Sequence, residues 1–479
     1  MSSGDLDKFF EAVDQLSTAF ITRLRGAVQI QSVSADPAKR PDLETMATFL
    51  KTELQLLDAS VTLHDLGDQK DTNPPLRLPP VVTAQYPKHH DSEKKTLLVY
   101  GHYDVQPKGD GHWTHEAFDL TEDHGKLFGR GSTDDKGPVC GWLNAIEAYQ
   151  KAGVELPVNL MMCFEGMEEQ DSSGFSDFIQ GSGKDLFKNV DAICIADNYW
   201  LTTRKPCLTY GLRGIDYFTI TISGPGKQLH SGIYGGTVHE PMTDLVILLS
   251  KLVDSRGNIL IPGIAELVEV VTASEKELYQ DIDYEMEDLY ADIQSKTGAI
   301  YDNKVDTLMH RMRYPSLTIH GISGADATPD LTTSIAPEVM GKFSIRTVPN
   351  LSSDQVTQLV TDFLDGEFKK LQSPNQYQVK NVGSAPWWRT DPDDANFTAA
   401  GKATEQVYKQ KPDLTREGGS IGVTLDLQNA LQGKKIMLLP MGTSSDGAHG
   451  PDEKIDKENY IEGTKLFGAY FHHFATQSS

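Results

Sequence analysis

The residues best suited to catalysis in this sequence stand where short apolar segments end. The segment LLVYGHYDVQP, residues 97–107, runs from four apolar residues and a glycine into His102, and Asp104 follows two positions later. Two interpretations are open here: His102 is a hydrogen-bonded cap at a strand end, or it is a metal ligand that Asp104 orients. A lone histidine at a strand end is more often a cap, so further residues must decide.

More acidic residues and a second histidine occupy equivalent positions along the chain. They follow predicted strands or open a predicted helix, and they are Asp134, Asp135, Glu168, Glu169, Asp197 and His449. Since ligands of an open parallel sheet bind outside the carboxyl ends of its strands, we expect these side chains to meet at one edge. Histidine and carboxylate donors suit Zn²⁺, with Mn²⁺ or Co²⁺ as alternatives, and one carboxylate can bridge two ions.

Each of these positions also has an interpretation that requires no metal. A Glu-Glu pair is usually exposed surface, and GRGSTDDKG, residues 129–137, can be a glycine turn followed by an acidic helix N-cap. The metal interpretation gains weight only because the same residue types recur at several predicted strand ends.

The elements that must position these residues are predicted by periodicity. Short apolar segments such as PPVVTAQY, VNLMMCFEG, AICIAD and KIMLLPMG predict buried strands. Helical spacing over residues 5–27, 41–57 and 137–153 predicts helices between them. Buried strands separated by helices indicate an α/β domain with a largely parallel sheet.

The pattern changes near residue 212. GIDYFTITISG alternates polar and apolar residues as a half-exposed strand does, and further helices, an acidic helical run and the strand EVMGKFSIRTVPN follow. After about residue 383 the α/β pattern resumes. The sequence therefore predicts a catalytic domain formed by residues 1–212 and 384–479, interrupted by an α+β domain over residues 213–383.

Composition excludes several classes of protein. With 44 basic and 68 acidic residues the net charge is −24, which argues against binding to nucleic acid or to an anionic membrane surface. Four cysteines without a C-x-x-C pair are typical of a reduced, intracellular protein. The segment MSSGDLDKFF has no signal-peptide pattern, and no apolar run is long enough to cross a bilayer. We expect a cytoplasmic protein.

Taken together, the motifs resemble those of the carnosinase-related family of zinc-dependent dipeptidases, especially its cytosolic nonspecific and fungal cysteinylglycine-cleaving members. In chain order they are GHYDVQP, GRGSTDDKGP, EGMEE, ADN, LHSG, FSIR, GGSI and GAH, and they span nearly the whole chain. The resemblance implies a zinc-exopeptidase catalytic domain and a ferredoxin-like domain that acts as lid and dimerisation domain. It also implies two Zn²⁺ ions per subunit, with Mn²⁺ possible in their place.

The same resemblance assigns roles at the expected metal site. One ion would be held by His102, Asp134 and Asp197, and the other by Asp134, Glu169 and His449. Asp104 would orient His102, and the Asp134–Asp135 peptide bond would be cis. Glu168, beside a ligand but not needed as one, would be the general base that deprotonates a water bound by the two zinc ions.

Substrate-binding residues are also implied by the resemblance. His230 would reach across a homodimer to stabilise the oxyanion, and Arg346, acting in cis or in trans, would bind the substrate carboxylate with Ser420 and Gly419. Without the resemblance, two alternatives stay open: His230 as a loop histidine without a catalytic role, and Arg346 as a surface arginine. GGSIG also fits the serine-hydrolase pattern, but PDLTREGG before it does not predict the apolar strand that this pattern needs.

The expected activity is hydrolysis of dipeptides, and the fungal relatives suggest Cys-Gly released during glutathione breakdown, by the enzyme alone or within a larger glutathione-degrading complex. An aminoacylase or a carboxypeptidase of the same architecture is the alternative, as is a non-catalytic metal-binding dimeric scaffold. The segment 321–341 is longer than expected for vertebrate relatives, so substrate preference can differ.

Overall fold

The apolar segments at the two ends of the chain form one large sheet. The computed structural model describes residues 3–70, 72–326 and 332–477. In the first part of the chain the strands are β1 (Ser60–His64), β2 (Val81–Tyr86), β3 (Thr96–His102), β4 (Thr121–Asp123), β5 (Lys126–Phe128), β6 (Asn159–Glu165), β7 (Ala192–Ile195), β8 (Tyr199–Trp200) and β9 (Cys207–Leu212). The helices of this part are α1 (Ser3–Gln29), α2 (Arg40–Leu56), α3 (Lys136–Ala152), α4 (Phe175–Phe178) and α5 (Lys184–Phe187).

The middle of the chain forms a second sheet with its own helices. The strands of this middle part are β10 (Gly214–Ser223), β11 (Leu229–His230), β12 (Ser316–Ser323), β13 (Ser334–Ile335), β14 (Glu338–Thr347) and β15 (Gln376–Ala385), of which β11 and β13 form a separate pair. Its helices are α6 (Ser231–Tyr234), α7 (Pro241–Leu249), α8 (Ile264–Leu267), α9 (Ala273–Asp281), α10 (Met286–Asp292), α11 (Lys304–Met312) and α12 (Ser353–Leu371). Residues 327–331, within the longer segment 321–341, lie outside the described residues.

The last part returns to the first sheet. Its strands are β16 (Trp388–Arg389), β17 (Asp413–Glu417), β18 (Lys435–Leu438), β19 (Gly442–Thr443) and β20 (Lys454–Asp456), and its helices are α13 (Ala395–Tyr408), α14 (Val423–Ala430) and α15 (Lys457–Thr476). The large sheet has the order β1-β2-β6-β3-β7-β18-β9-β16, with β17 also paired to β9. Its central strands β6, β3, β7 and β18 run parallel.

These central strands are apolar because both of their faces are covered. Strands β3 and β6 are buried at every residue, and α1, α3 and α15 pack on one side of the sheet. Helix α3 ends at Gly153, which adopts the left-handed conformation (φ 64°) that a glycine accepts without strain. The predicted parallel α/β core is therefore confirmed.

The second sheet is antiparallel and has the order β15-β10-β14-β12. With α7 after β10 and α12 after β14, the chain order is β-α-β-β-α-β, the ferredoxin-like arrangement. Both helices bury their apolar residues on one face of the sheet. The predicted fold class is confirmed, whereas the boundaries at residues 212 and 383 stay a prediction. Within the described residues, no helix has the length and apolar character of a membrane span.

The acidic run of residues 274–295 is not one continuous helix. It breaks between α9 and α10 because Ile282 and Tyr284 turn inward to a cluster that includes Trp200 and Leu308. The backbone N–H of Asp283 donates to Asp413 Oδ2 at 2.8 Å, at the start of β17 in the large sheet. These contacts fix helices α9 to α11 to the large-sheet part of the molecule. Tertiary packing therefore outweighs helical periodicity in this segment.

The contact between α1 and α15 yields a test of packing. A Cβ atom at Gly468 of α15 would lie 2.0 Å from Cζ of Phe9, whose ring stacks on Tyr149 at 4.4 Å. We expect Gly468→Ala to lower the free energy of unfolding by about 1–3 kcal/mol, because overpacking outweighs the helix propensity of alanine. The control is Gly401→Ala in α13, where the added Cβ meets open space. Urea unfolding should show the control unchanged or stabilised; a Gly468→Ala protein as stable as the control would contradict the packing.

Candidate metal centre and substrate cavity

Parallel strand order brings the predicted ligands to one edge of the large sheet. Strand β3 ends at His102, which pairs in register with Glu165, the last residue of β6. The turn that follows β6 carries Glu168 and Glu169, and Asp197 follows β7 by two residues. The strands run in the same direction, so their carboxyl ends lie side by side.

The five predicted ligands form two groups that share one carboxylate. His102 Nε2 lies 3.1 Å from Asp134 Oδ1 and 3.4 Å from Asp197 Oδ1. His449 Nε2 lies 2.9 Å from Asp134 Oδ2 and 3.2 Å from Glu169 Oε2. Within each group of three, the donor atoms all lie within 4.8 Å of one another. Asp134 thus offers one oxygen to each group, as a bridging carboxylate must.

Asp104 connects the first group to the turn after β6. Its buried carboxylate has Oδ1 3.3 Å from His102 Nδ1, so it can fix the orientation of the imidazole ring. The same carboxylate accepts hydrogen bonds from the backbone N–H groups of Glu168 and Glu169, each at 3.2 Å. One side chain therefore positions a histidine and both glutamates.

A second buried carboxylate, which sequence reasoning missed, positions Asp134. Glu453 Oε1 accepts hydrogen bonds from the backbone N–H groups of Gly131, Thr133 and Asp134 at 3.0–3.2 Å. Its Oε2 is 2.6 Å from Nη1 of Arg130, and both side chains are almost fully buried. The Asp134–Asp135 peptide bond that this loop contains is cis, as expected. No local pattern marks Glu453, because its partners lie more than 300 residues away in the chain.

The electrostatics of the cluster favour bound cations. Burial raises the pKa of Asp197 to about 6, and burial together with the charge of Asp197 raises the pKa of Glu168 well above its usual value. Burial would also raise the pKa of Asp134, but His102 and His449 hold it well below its usual range. The cluster contains more carboxylates than its two imidazole groups could neutralise, even if both were protonated. The mixed nitrogen and oxygen donors fit a pair of divalent cations.

A cavity of about 390 Å³ lies next to this cluster. Its lining includes Glu168, Asp197 and His449 of the cluster together with Gly419 and Ser420. The cavity is large enough for a small ligand. The carboxylate of Glu168, which belongs to neither group of donors, lines it beside these groups.

Arg346 reaches the cavity wall through Ser420. Its Nη1 donates to Ser420 Oγ at 2.9 Å, and Ser420 Oγ donates to the carbonyl oxygen of Arg213 at 2.6 Å. Residues 413–417 before this loop form the strand β17, but its sequence, DLTRE, is not the apolar strand that the serine-hydrolase pattern needs. That strand is stabilised by buried polar contacts such as Arg416 with Glu275 at 2.8 Å. The Ser420 hydroxyl contacts an arginine and a carbonyl group, and neither is a base that could activate it.

His230 is not brought to the metal cluster of its own chain. It is exposed at the start of α6, and its Nδ1 accepts a hydrogen bond from the N–H of Gly232 at 3.0 Å. Its Nε2 lies 3.4 Å from Thr333 Oγ1. Among the residues that line the cavity in the described chain, His230 does not occur. The assignment of His230 to an active site in trans stays a prediction.

The chain is similar to known peptidases along almost its whole length. The model of peptidase family M20/M25/M40 matches residues 98–473. The Cys-Gly metallodipeptidase of Schizosaccharomyces pombe is 48% identical over 476 residues, 99% of each chain. The human Beta-Ala-His dipeptidase is 40% identical over 471 residues, 97% of this chain and 92% of its own.

Solved structures agree with these relatives. The structure of a dipeptidase from Saccharomyces cerevisiae has a TM-score of 0.91 at 46% identity and covers 100% of both chains. Human carnosine dipeptidase 1 has a TM-score of 0.89 at 39% identity, with 98% of this chain and 99% of its own covered. The predicted family is confirmed: the protein belongs to peptidase family M20/M25/M40.

Proposed function

We propose that this protein is a metallodipeptidase that cleaves Cys-Gly and similar unblocked dipeptides with a centre of two Zn²⁺ ions. The observation that carries the proposal is the pair of three-donor groups that share Asp134. The predicted metal-dependent dipeptidase activity agrees with the names of relatives that match 97% or more of the chain. Glutathione breakdown as the source of Cys-Gly fits the fungal relatives.

The metal ligands are proposed to be those that the family resemblance implies. His102, Asp134 and Asp197 would hold one ion, and Asp134, Glu169 and His449 would hold the other; these donors also accept Mn²⁺. When bound, such a pair of ions lowers the pKa of water and polarises a peptide carbonyl. Asp104 contributes by keeping the His102 ring in position.

Glu168 is the proposed general base. Its side chain lines the cavity beside both donor groups, and its backbone N–H is held by Asp104. Because Glu169 already contributes to a donor group, the carboxylate of Glu168 remains available to take a proton from water and to give one to the leaving amine. The buried setting disfavours its charged form, which suits a group that must be protonated and deprotonated in each cycle.

The substrate carboxylate is proposed to bind between Arg346, Ser420 and Gly419. A planar guanidinium and the N–H groups of a glycine loop are suitable partners for a carboxylate. His230 is proposed to complete the site of the other subunit in a homodimer, where it stabilises the oxyanion. A cytoplasmic location, and action alone or in a larger glutathione-degrading complex, stay predictions.

A substrate panel tests the proposed function directly. Free Cys-Gly and other dipeptides should be hydrolysed in a chelator-sensitive way, and N-acetyl amino acids and longer peptides should be poor substrates. Preferred turnover of N-acetyl amino acids would favour an aminoacylase, and release of single residues from long peptides would favour a carboxypeptidase. Bound metal without any turnover would favour the scaffold alternative.

The shared carboxylate makes a prediction about metal content. Asp134→Ala should lose both ions, because it removes a donor from each group, whereas His449→Ala should lose mainly one. The control is His124→Ala, because this histidine is 92% exposed and lies outside both groups. Elemental analysis of purified protein measures the difference. Equal metal content in the Asp134→Ala and His124→Ala proteins would contradict the assignment.

Glu168→Gln separates proton transfer from metal binding. We expect the variant to keep the metal content and melting temperature of the wild type while kcat falls by about a hundredfold or more, within the range for loss of a general base. Steady-state kinetics on Cys-Gly measure kcat, and elemental analysis of the same sample measures the metal content. Near-normal kcat would refute the role of Glu168, and loss of metal would make it a ligand.

The trans role of His230 is tested by subunit complementation. If His230 acts in trans, a dimer of one His230→Ala subunit and one Glu168→Gln subunit contains one intact site, although each variant alone is inactive. Random reassociation of equal amounts should then restore about a quarter of the wild-type sites, since half of the dimers are mixed. If both residues act in cis, the mixture stays inactive.

A further inference from the structure

A second cavity of about 430 Å³ lies beside the catalytic cavity. Among the described residues that line them, the two cavities share only Arg311 of α11 and Asp292, the last residue of α10. The rest of the second cavity is mostly apolar and includes Leu289, Ile293 and Ile300. Arg311 and Asp292 therefore border both cavities, and we call their two side chains the partition.

The two side chains of the partition are loosely paired. Arg311 Nη1 lies 3.9 Å from Asp292 Oδ2, and the side chains are 35% and 42% exposed. An ion pair this long and this exposed contributes little to stability. The ion pair of the partition is thus a minor contribution to the contact between α10 and α11.

The backbone that carries the partition, in contrast, is held firmly. Arg213 Nη1 donates to the carbonyl oxygens of His310 and Tyr314, each at 3.2 Å, on either side of Arg311. The carbonyl of Arg311 packs on Gly418, where an added Cβ would lie 2.6 Å from its oxygen. Gly418 precedes the loop that lines the catalytic cavity at Ser420. Arg311 therefore stands at a fixed position at the proposed carboxylate end of that cavity.

We propose that Arg311, which lies beside Asp292, is the end-stop that limits substrates to one residue after the cleaved bond. The inference rests on the proposed function, because it takes Arg346 and Ser420 as the carboxylate end. A third residue of the substrate would have to occupy the space that the two side chains fill. When the Arg311 side chain is removed, the apolar cavity behind it is open to the third substrate residue. We therefore expect the largest rise in kcat/KM for a peptide whose C-terminal residue is apolar.

The experiment compares Arg311→Ala with the wild type on Ala-Gly, Ala-Gly-Leu and Ala-Gly-Asp, with cleavage at the first bond. We expect the ratio of kcat/KM for Ala-Gly-Leu to kcat/KM for Ala-Gly to rise about tenfold or more, the scale of a gained apolar contact. Ala-Gly-Asp should gain less, because the space behind the stop is apolar. Asp292→Asn, which loosens the pair without emptying the space, should shift selectivity in the same direction by a smaller factor.

A matched control separates the stop from general loosening of α10. Arg204→Ala breaks a shorter pair with Asp288 of the same helix, at 2.6 Å, and Arg204 is not among the described residues that line either cavity. Its length selectivity should equal that of the wild type. An equal gain in this control would overturn the proposal.

Two further outcomes would overturn it. The first is wild-type selectivity in both Arg311→Ala and Asp292→Asn, and Asp292→Asn decides alone if Arg311→Ala does not fold. The second is an equal loss on dipeptide and tripeptide in Arg311→Ala, which would make Arg311 a substrate-binding residue. A wild-type protein that hydrolyses no dipeptide would instead refute the proposed function.

Discussion

The buried ion pair between Glu453 and Arg130 positions the residue that both halves of the site share. While Oε2 of Glu453 contacts Arg130 at 2.6 Å, Oε1 accepts the backbone N–H groups around Asp134. Removing one partner of such a pair costs about 3–5 kcal/mol, because the other charge is left buried without compensation. That penalty keeps the loop in one conformation and lets Asp134 direct one oxygen to each donor group. The geometry of the metal centre thus depends on a contact between distant parts of the chain.

The parallel sheet also positions donors of the metal centre. His102 and Asp197 follow neighbouring parallel strands, so their side chains start from the same edge. Asp104 then links that edge to the turn of Glu168 and Glu169. His102 is supported by Asp104 and Glu169 by Gln106, so these two donors are positioned before a substrate arrives.

Much of this arrangement was predictable from local patterns, and the rest was not. His102 and Asp197 could be placed because period-two and apolar segments predict strands, and because parallel strands deliver their ends together. Glu453 could not be found, since a carboxylate that binds backbone groups more than 300 residues away leaves no periodic signal. The break before Tyr284 was missed because burial against another part of the fold outweighed helical spacing. His230 was identified only through family resemblance; its own chain places it away from the cavity.

Two arginine–carboxylate pairs in the same molecule illustrate how burial assigns different tasks to the same chemistry. Arg130 and Glu453 are almost fully buried, so their pairing is strong, structural and intolerant of change. Arg311 and Asp292 are partly exposed at 3.9 Å, where an ion pair is worth about 0–1 kcal/mol, so their side chains can be altered without endangering the fold. A residue that contributes little to stability and borders the substrate space can be changed with its main effect on the substrate. Substrate length can therefore be tuned at the second pair while the metal centre that the first pair supports stays unchanged.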